Sequence, residues 1–287
     1  NDGPADRFIY EEGDRILSEY GNHPSFCMMA YGNEPAGRGM HQYLARLLDY
    51  WKAKDNRRVY TSAAGWPVIK ENEYHVIPAP RIQQWGDGLK SIINAEPPRA
   101  NYDFSDVIAK YNVPVIGHEI GQWCVYPDLK EISRYTGVLR ASNFEIFSET
   151  LAENNMSAQA EDFLMASGKL QVLCYKADIE AALRTPGYAG FEMLQLHDFP
   201  GQGTALVGIL NPFFESKGYV TPEEFRMFCS QTVPLAKLKK MIYSNDESFT
   251  AGVGIAHFGP EPLRNVYIVS KVFDAEGNLL SADSTLN

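Results

Sequence analysis

The chain has 287 residues, of which 45% are hydrophobic, so it can bury a sizeable core in one or two domains. Its formal net charge is −10, and the acidic residues are dispersed along the chain. Because proteins that bind nucleic acids need a clustered basic surface, this charge argues against nucleic acid as a partner. The sequence lacks an apolar run of about 18 residues, so it predicts no membrane span.

The first residues predict helices that alternate with strands. Apolar residues recur at helical spacing over 5–20 and, most clearly, over 40–51. Between these helices, residues 25–30 form a short unbroken apolar run, which is typical of a strand covered on both faces. The sequence YGNEP follows this run, so Glu34 stands where a predicted strand gives way to a loop.

The same alternation continues toward the middle of the chain. Residues 58–63 and 73–77 predict two more strands, and 104–111 predict a short helix. Residues 113–116 are another apolar run, and the sequence GHEIGQW follows them. Glu119 in this second motif therefore stands, like Glu34, at the end of a predicted buried strand.

The later residues complete an α/β pattern. Residues 128–184 are mostly helical, and 190–196 predict an apolar strand. This alternation predicts a parallel sheet, and polar residues at the strand ends favour a (β/α)8 TIM barrel. A whole barrel needs eight strands and about 250 residues. Since we find about five strands, we expect the first strands to lie upstream of residue 1.

The C-terminal residues show a different sequence pattern, in which strands alternate with turns. Thr221, Pro222 and Glu224 have the order of an N-cap, a first helical residue and a capping-box glutamate. Strand-like segments at 249–257 and 266–273 then alternate with turns, as at the start of a β-sandwich (Ig-like) domain. We therefore expect the C-terminal part of a barrel over 1–243 and the beginning of a sandwich over 244–287.

Two carboxyl groups that face the same bond are the catalytic groups that most glycosidases use to cleave a glycosidic bond. One of them protonates the leaving oxygen, and the other stabilises the positive charge that develops at the anomeric carbon. Retention of configuration needs the two groups about 5–5.5 Å apart, whereas inversion needs roughly 6.5–9.5 Å to admit a water molecule.

The motif around Glu34, with the sequence HPS before it, resembles the asparagine–glutamate signature of glycoside hydrolase family 2. The sequence VIGHEIG around Glu119 is similar to the strand that carries the nucleophile in that family. The resemblance covers roughly residues 5–243 and implies a retaining exo-β-glycosidase. It further implies that Glu34 is the acid/base, that Glu119 is the nucleophile, and that Asn33 holds the sugar 2-hydroxyl.

Several further residues are predicted to lie near Glu34 and Glu119, at the carboxyl ends of the barrel strands. The candidates for substrate binding are Asn33, Trp66, His118, Trp123, Gln195, His197 and Asp198. The two tryptophans are either sugar platforms or packing residues. His118 either hydrogen-bonds the sugar or a carboxylate, or has a structural role. The loop 199–204 is interpreted as an active-site rim.

The resemblance implies hydrolysis of terminal β-linked sugars from an oligo- or polysaccharide, most simply by a β-galactosidase. β-Glucuronidase, β-mannosidase and a non-catalytic carbohydrate-binding protein on the same scaffold are the alternatives. Neither a cofactor nor a metal is predicted, and serine-hydrolase and zinc-protease motifs are absent from the sequence. A periplasmic or extracellular location is expected from the resemblance alone, and a homo-oligomer is left open.

Overall fold

The computed structural model describes residues 3–84, 86–199 and 206–286 as a mixed α/β structure with small sheets. Its α-helices are α1 Pro4–Tyr20, α2 Met40–Lys54, α3 Ile92–Ala95, α4 Ser105–Ile108, α5 Ser142–Glu153, α6 Ala160–Arg184 and α7 Pro222–Arg226. Its strands are β1 Met28–Ala30, β2 Val59–Thr61, β3 His75–Ile77, β4 Val115–Gly121, β5 Gly190–Leu194, β6 Thr232–Lys237, β7 Gly252–His257, β8 Tyr267–Phe273 and β9 Leu279–Leu286. No helix of the described residues is long and apolar enough to cross a membrane.

The chain divides into two compact units. The first unit contains Asn1–Pro80, Phe104–Glu119 and Pro186–Glu192, and the second contains Arg81–Asp103, Ile120–Thr185 and Met193–Asn287. These units are not the predicted domains. The predicted domain boundary between residues 243 and 244 stays a prediction.

Strands of the first unit follow one another in chain order. β1 pairs with β2 in parallel, and β3 pairs with β4 in parallel. A parallel bridge joins Asn33 to Ala64, and another joins Ala64 to Val76, so the ends of β1, β2 and β3 are linked. β4 lies between β3 and β5 in its sheet. The segments that follow these strands therefore meet at one edge, as expected where parallel strands are joined by helices.

Apolar faces of α1 and α2 cover the first of these strands. The pattern in α2 buries Leu44, Leu47 and Leu48, and its Trp51 packs with Tyr60 of β2. A buried ion pair between Asp55 and Arg58 lies at the end of α2. Arg58 also donates to the backbone oxygens of Gly21 and Phe26, at 3.0 and 3.1 Å, so one side chain connects the loop before β2 to the loop before β1.

The second unit contains helices and two hairpins. α5 and α6 bury Phe144 and Leu164 against Tyr219. The strands β6 and β7 form one antiparallel pair, and β8 and β9 form another. Thr221 accepts from the backbone N–H of Glu224, and the Glu224 side chain accepts from the Thr221 backbone, which is the predicted capping box.

Two predicted strands differ from the structure. The run 25–30 forms a strand only at Met28–Ala30, which buries Met29 and exposes Met28 and Ala30. The expectation that it is covered on both faces is therefore wrong, because successive side chains of a strand point to opposite faces and only the face with Met29 is buried. The run 113–116 continues as β4 to Gly121, so Glu119 lies inside a strand rather than after it.

We expect Leu47→Ala to lower the free energy of unfolding by about 2–5 kcal/mol, because the leucine is 0% exposed and its removal leaves a cavity. Leu89→Ala is the matched control, because Leu89 is 83% exposed, and it should change stability by less than about 0.5 kcal/mol. Chemical denaturation followed by tryptophan fluorescence measures both values. Equal effects of the two substitutions would contradict the described packing of α2.

Candidate functional site

Glu34 and Glu119 share a backbone conformation that few non-glycine residues adopt. The φ angle is 46° at Glu34 and 49° at Glu119, both in the left-handed region. Each such residue costs about 1–3 kcal/mol and persists only where its surroundings hold it, which is common at functional sites. At Glu34 the backbone N–H donates to Ala64 O at 3.0 Å, and Gly65 N donates to Val76 O at 2.9 Å. These bonds connect the loops after β1 and β2 to β3.

The structure brings the two glutamates together around one histidine. Nε2 of His118 lies 3.4 Å from Glu34 Oε1 and 3.5 Å from Glu119 Oε1. One oxygen of each glutamate and this nitrogen all lie within 4.8 Å of one another. The side chain of His118 is 3% exposed, whereas those of Glu34 and Glu119 are 35% and 27% exposed. Both carboxylates are therefore open to a ligand while the imidazole is buried.

A third carboxylate contacts the other nitrogen of the imidazole. Nδ1 of His118 lies 3.3 Å from Glu192 Oε2 on β5, and the Glu192 side chain is 50% exposed. Burial of the ring favours the neutral form, but the hydrogen bond to Glu192 and the negative charge of Glu119 outweigh it. Together they raise the pKa of His118 above its ordinary value. The contacts of His118 are thus with carboxylates, which was one of the alternatives for this residue.

Gly65 and Glu192 belong to this site but were not predicted from the sequence. Gly65 has φ +86°, and a Cβ there would lie 2.8 Å from Glu34 Cγ and 3.3 Å from the His118 ring. Only a residue without a side chain fits under these two groups. Glu192 had a detectable signal, because it is the one charged residue in the apolar run 190–196.

Two predicted substrate-binding residues lie beside Glu34 in the first unit. The indole Nε1 of Trp66 donates to Pro35 O at 3.2 Å, and the side chain is 44% exposed. This bond ties the ring to the loop that carries Glu34. Asn33 is exposed and immediately precedes Glu34. Both residues are accessible to a ligand, and their roles in sugar binding stay predictions.

Asp198 has structural partners within the second unit. Its carboxylate lies 2.6 Å from Lys217 Nζ and accepts from Gly208 N at 2.9 Å. The two charged side chains are 3% and 2% exposed. Burial raises the pKa of Asp198 despite the ion pair with Lys217. Because these partners engage both oxygens, we leave Asp198 out of the proposed site.

The other predicted residues of the second unit have mixed surroundings. His197 stacks on Phe214 with ring centroids 4.3 Å apart. The side-chain N–H groups of Trp123 and Gln195 are buried, and no partner for them lies in the described part of the chain. Their roles stay predictions. Most of the predicted rim loop 199–204 lies outside the described residues.

Three residues could hold a metal ion by their spacing, namely Glu34, His118 and Glu119. Carboxylate oxygens and an imidazole nitrogen are suitable ligands for a divalent cation. Exposed acidic groups often show such spacing without an ion. The prediction that the protein needs no metal stays a prediction.

No family model matches the chain, and no curated protein matches it either. Among solved structures, it is similar to a GH2 β-galacturonidase from Eisenbergiella tayi bound to galacturonate, with 15% identity and a TM-score of 0.45, over 78% of this chain and 38% of that one. It is also similar to an FMN-binding β-glucuronidase from Facaelibacterium prausnitzii L2-6, with 10% identity and a TM-score of 0.43, over 98% of this chain and 44% of that one. The chain thus spans less than half the length of these proteins. Similarity at this level does not assign an activity.

We expect Gly65→Ala to lower the free energy of unfolding by about 2–4 kcal/mol, because alanine is strained at this φ and overlaps Glu34. Gly254→Ala is the control, because a Cβ at Gly254 meets nothing within 4 Å, and it should change stability by less than about 0.5 kcal/mol. Denaturant titration measures both. The close approach of Glu34 and His118 to Gly65 would be refuted if Gly65→Ala were as stable as the control.

Proposed function

We propose that the protein is a retaining β-glycosidase, in which Glu34 is the acid/base and Glu119 is the nucleophile. The carrying observation is that oxygens of these two half-buried carboxylates lie within 4.8 Å of each other. A pair of oxygens this close is nearer to the separation of about 5–5.5 Å between the carboxyl groups of retaining enzymes than to the roughly 6.5–9.5 Å of inverting enzymes. The left-handed backbone at both glutamates gives independent support, because such strain is concentrated at functional sites.

In the first step, an oxygen of Glu119 attacks the anomeric carbon while the bond from that carbon to the leaving oxygen breaks. Glu34 gives its proton to the leaving oxygen, so the departing group is an alcohol rather than an alkoxide. The product of this step is an ester between the sugar and Glu119.

In the second step, water attacks the anomeric carbon and the ester bond to Glu119 breaks. Glu34 is now a carboxylate, and it takes one proton from the attacking water. Sugar with retained configuration leaves, and both glutamates return to their first state. Asn33 is a neutral donor beside Glu34, so it can bind a sugar hydroxyl without changing the charges in this cycle.

We also propose that the fold is the later part of a (β/α)8 barrel followed by the start of a β-sandwich. Four linked parallel strands in chain order, with β5 beside them, suit the later part of a (β/α)8 barrel, whose active site lies at the carboxyl ends of its strands. The hairpins β6–β7 and β8–β9 suit the start of a β-sandwich of the Ig-like type.

Among sugars, we propose a neutral β-galactoside first. Glu34, Glu119 and Glu192 surround a single imidazole, and a uronic acid would bring a further negative charge to them. One observation favours the alternative β-glucuronidase. Arg38 and Arg46 line a groove of about 320 Å³ beside Pro35, where a sugar carboxylate could be bound. β-Mannosidase is the remaining alternative. We further propose export to the periplasm or the extracellular space.

The competing class is a protein that binds sugar without cleaving it. Such a protein has no need for two accessible carboxylates held in a strained backbone, so the geometry favours the enzyme. The two classes differ in covalent chemistry. Only an enzyme of the proposed kind forms an ester on Glu119 with a 2-deoxy-2-fluoro sugar that carries a good leaving group.

We expect the wild-type protein to hydrolyse one or more nitrophenyl β-glycosides and the fluorosugar to label Glu119, as read by peptide mass spectrometry. Glu119→Gln should abolish both labelling and turnover, because the nucleophile is lost. Glu34→Ala should lose about 10²–10⁴-fold on substrates with poor leaving groups and much less on dinitrophenyl glycosides, which need no acid to depart.

The matched control is Glu223→Gln, because Glu223 is 75% exposed on α7 and outside the first unit. It should retain full activity. Label recovered on another residue, or a Glu119→Gln variant that turns over normally, would remove Glu119 from its proposed role. A protein that binds sugars but takes no label belongs to the competing class.

We also expect EDTA to leave the hydrolysis rate unchanged, because the two carboxylates provide the acid and the nucleophile without a metal. The measurement compares kcat/KM of dialysed enzyme before and after chelation, and after addition of Mg²⁺, Mn²⁺ or Zn²⁺. Loss of activity on chelation with recovery on one cation would contradict this prediction and make Glu34, His118 and Glu119 the candidate ligands.

A further inference from the structure

His118 faces a carboxylate at each of its two nitrogens. Nδ1 lies 3.3 Å from Glu192 Oε2, and Nε2 lies 3.4 Å from Glu34 Oε1 and 3.5 Å from Glu119 Oε1. The ring is buried, and Nε2 itself has no contact with solvent. Water therefore cannot replace the carboxylates beside Nε2.

These contacts determine how many protons the cluster must hold. A neutral imidazole has one N–H and one lone pair, whereas ionised carboxylates only accept. With Nδ1–H directed at Glu192, a bare Nε2 would place its lone pair against two negative oxygens. A proton on Nε2 removes this repulsion, and it is additional to the proton that Glu34 transfers in the proposed cycle.

We propose that His118, anchored by Glu192, is a positioning residue that keeps one proton between Glu34 and Glu119 and so fixes the distance and the charge of the pair. This inference rests on the proposed glycosidase function, and it adds a third carboxylate to the site. His118 acts through the two glutamates and need not touch the sugar.

The surroundings of the ring support a fixed position. A Cβ at Gly65 would lie 3.3 Å from both Cδ2 and Nε2 of His118, so the loop after β2 passes close to this edge of the ring and leaves no room there for a side chain. On the other side, Glu192 holds Nδ1 from β5. An imidazole restrained in this way keeps Nε2 close to the glutamates, and a displacement of about 1 Å in such a group can cost 10²-fold in rate.

The same charge is useful in both steps of the cycle. In the resting enzyme it reduces the repulsion between Glu119 and Glu192, which lie on opposite sides of the ring. After the ester forms, Glu119 is neutral, and the positive ring then faces Glu34, which must act as base. No bond to His118 forms or breaks, and its proton count is the same at the start and the end.

The direction of the pH dependence follows from the groups around the ring. The ring is faced by Glu34, Glu119 and Glu192. Tyr74 lies near this group: burial raises the pKa of its phenol, and the negative charge of Glu192 raises it further. A raised pKa at His118 means that the charged form is stabilised in the folded protein. The charged ring therefore contributes to the free energy of unfolding. This contribution is complete below the ordinary imidazole pKa of about 6.5 and is lost as the pH rises through the raised pKa of His118.

The decisive variant is Glu192→Gln, which keeps the shape of the anchor and removes its charge. Because Glu192 is half exposed, this change should leave the fold intact. We expect kcat/KM at pH 7 to fall about 10-fold, mainly through kcat, and its alkaline limb to move to lower pH. His118→Asn should lose about 10²-fold, with Glu119 still labelled by the fluorosugar. The matched control Glu223→Gln should change neither value.

A second measurement does not depend on activity. In protein with ¹⁵N-labelled histidine, the resonance of His118 is identified by its absence from His118→Asn, and its titration is followed by NMR. We expect a midpoint above the ordinary imidazole value in the wild type and a lower midpoint in Glu192→Gln. His41, which is exposed on α2, is the internal reference, and its resonance should be the same in both proteins at each pH.

The two measurements separate the two proposals. If Glu192→Gln moves neither the midpoint nor the alkaline limb, His118 is not a charged positioning residue, although the glycosidase function stands. If the wild type cleaves no β-glycoside and takes no label, the function fails. A wild-type midpoint at or below the ordinary value would overturn the inference whether or not the protein is an enzyme.

Discussion

The buried imidazole of His118 lies among three carboxylates. The site formed by Glu34, Glu119 and Glu192 in the first unit depends on these contacts. Carboxylates within 5 Å of each other repel strongly unless a proton or a cation lies between them. The backbone also opposes the arrangement, because Glu34 and Glu119 both have positive φ. Hydrogen bonds that link the ends of β1, β2 and β3 hold Glu34, and β4 carries His118 and Glu119 as neighbours. The fold thus maintains a local arrangement that is unfavourable by itself.

Local patterns predicted the elements that surround this edge. The apolar spacing over 40–51 predicted α2, whose leucines are buried, and the order of Thr221, Pro222 and Glu224 predicted the capping box of α7. Such features depend on residues within one or two turns, so the sequence contains the required information. The order of strands also followed from their alternation with helices. These patterns were sufficient to place Glu34 and Glu119 at the same edge.

Features that depend on distant residues were not predicted. The length of β4 is set by its neighbours β3 and β5, and an apolar pattern cannot show where pairing ends. Gly65 is required because Glu34 and His118, which are far away in sequence, pack over it. Asp198 and Glu192 show the same dependence. Both are carboxylates of the segment 190–198, but Asp198 is buried against Lys217 whereas Glu192 is half exposed beside His118. Their partners, not their positions in the strand, decide between an ion pair and a site.

The difference in exposure between the ring and the carboxylates has a chemical consequence. A group that reacts with a sugar must be reachable, and Glu34 and Glu119 are each about one-third exposed. A group that sets the charge of its neighbours works best where water cannot screen it, and His118 is 3% exposed. A solvent-exposed histidine in its place would exchange its proton with bulk water and would influence both glutamates less. Burial therefore suits His118 to control the pair, while the pair itself remains accessible to substrate.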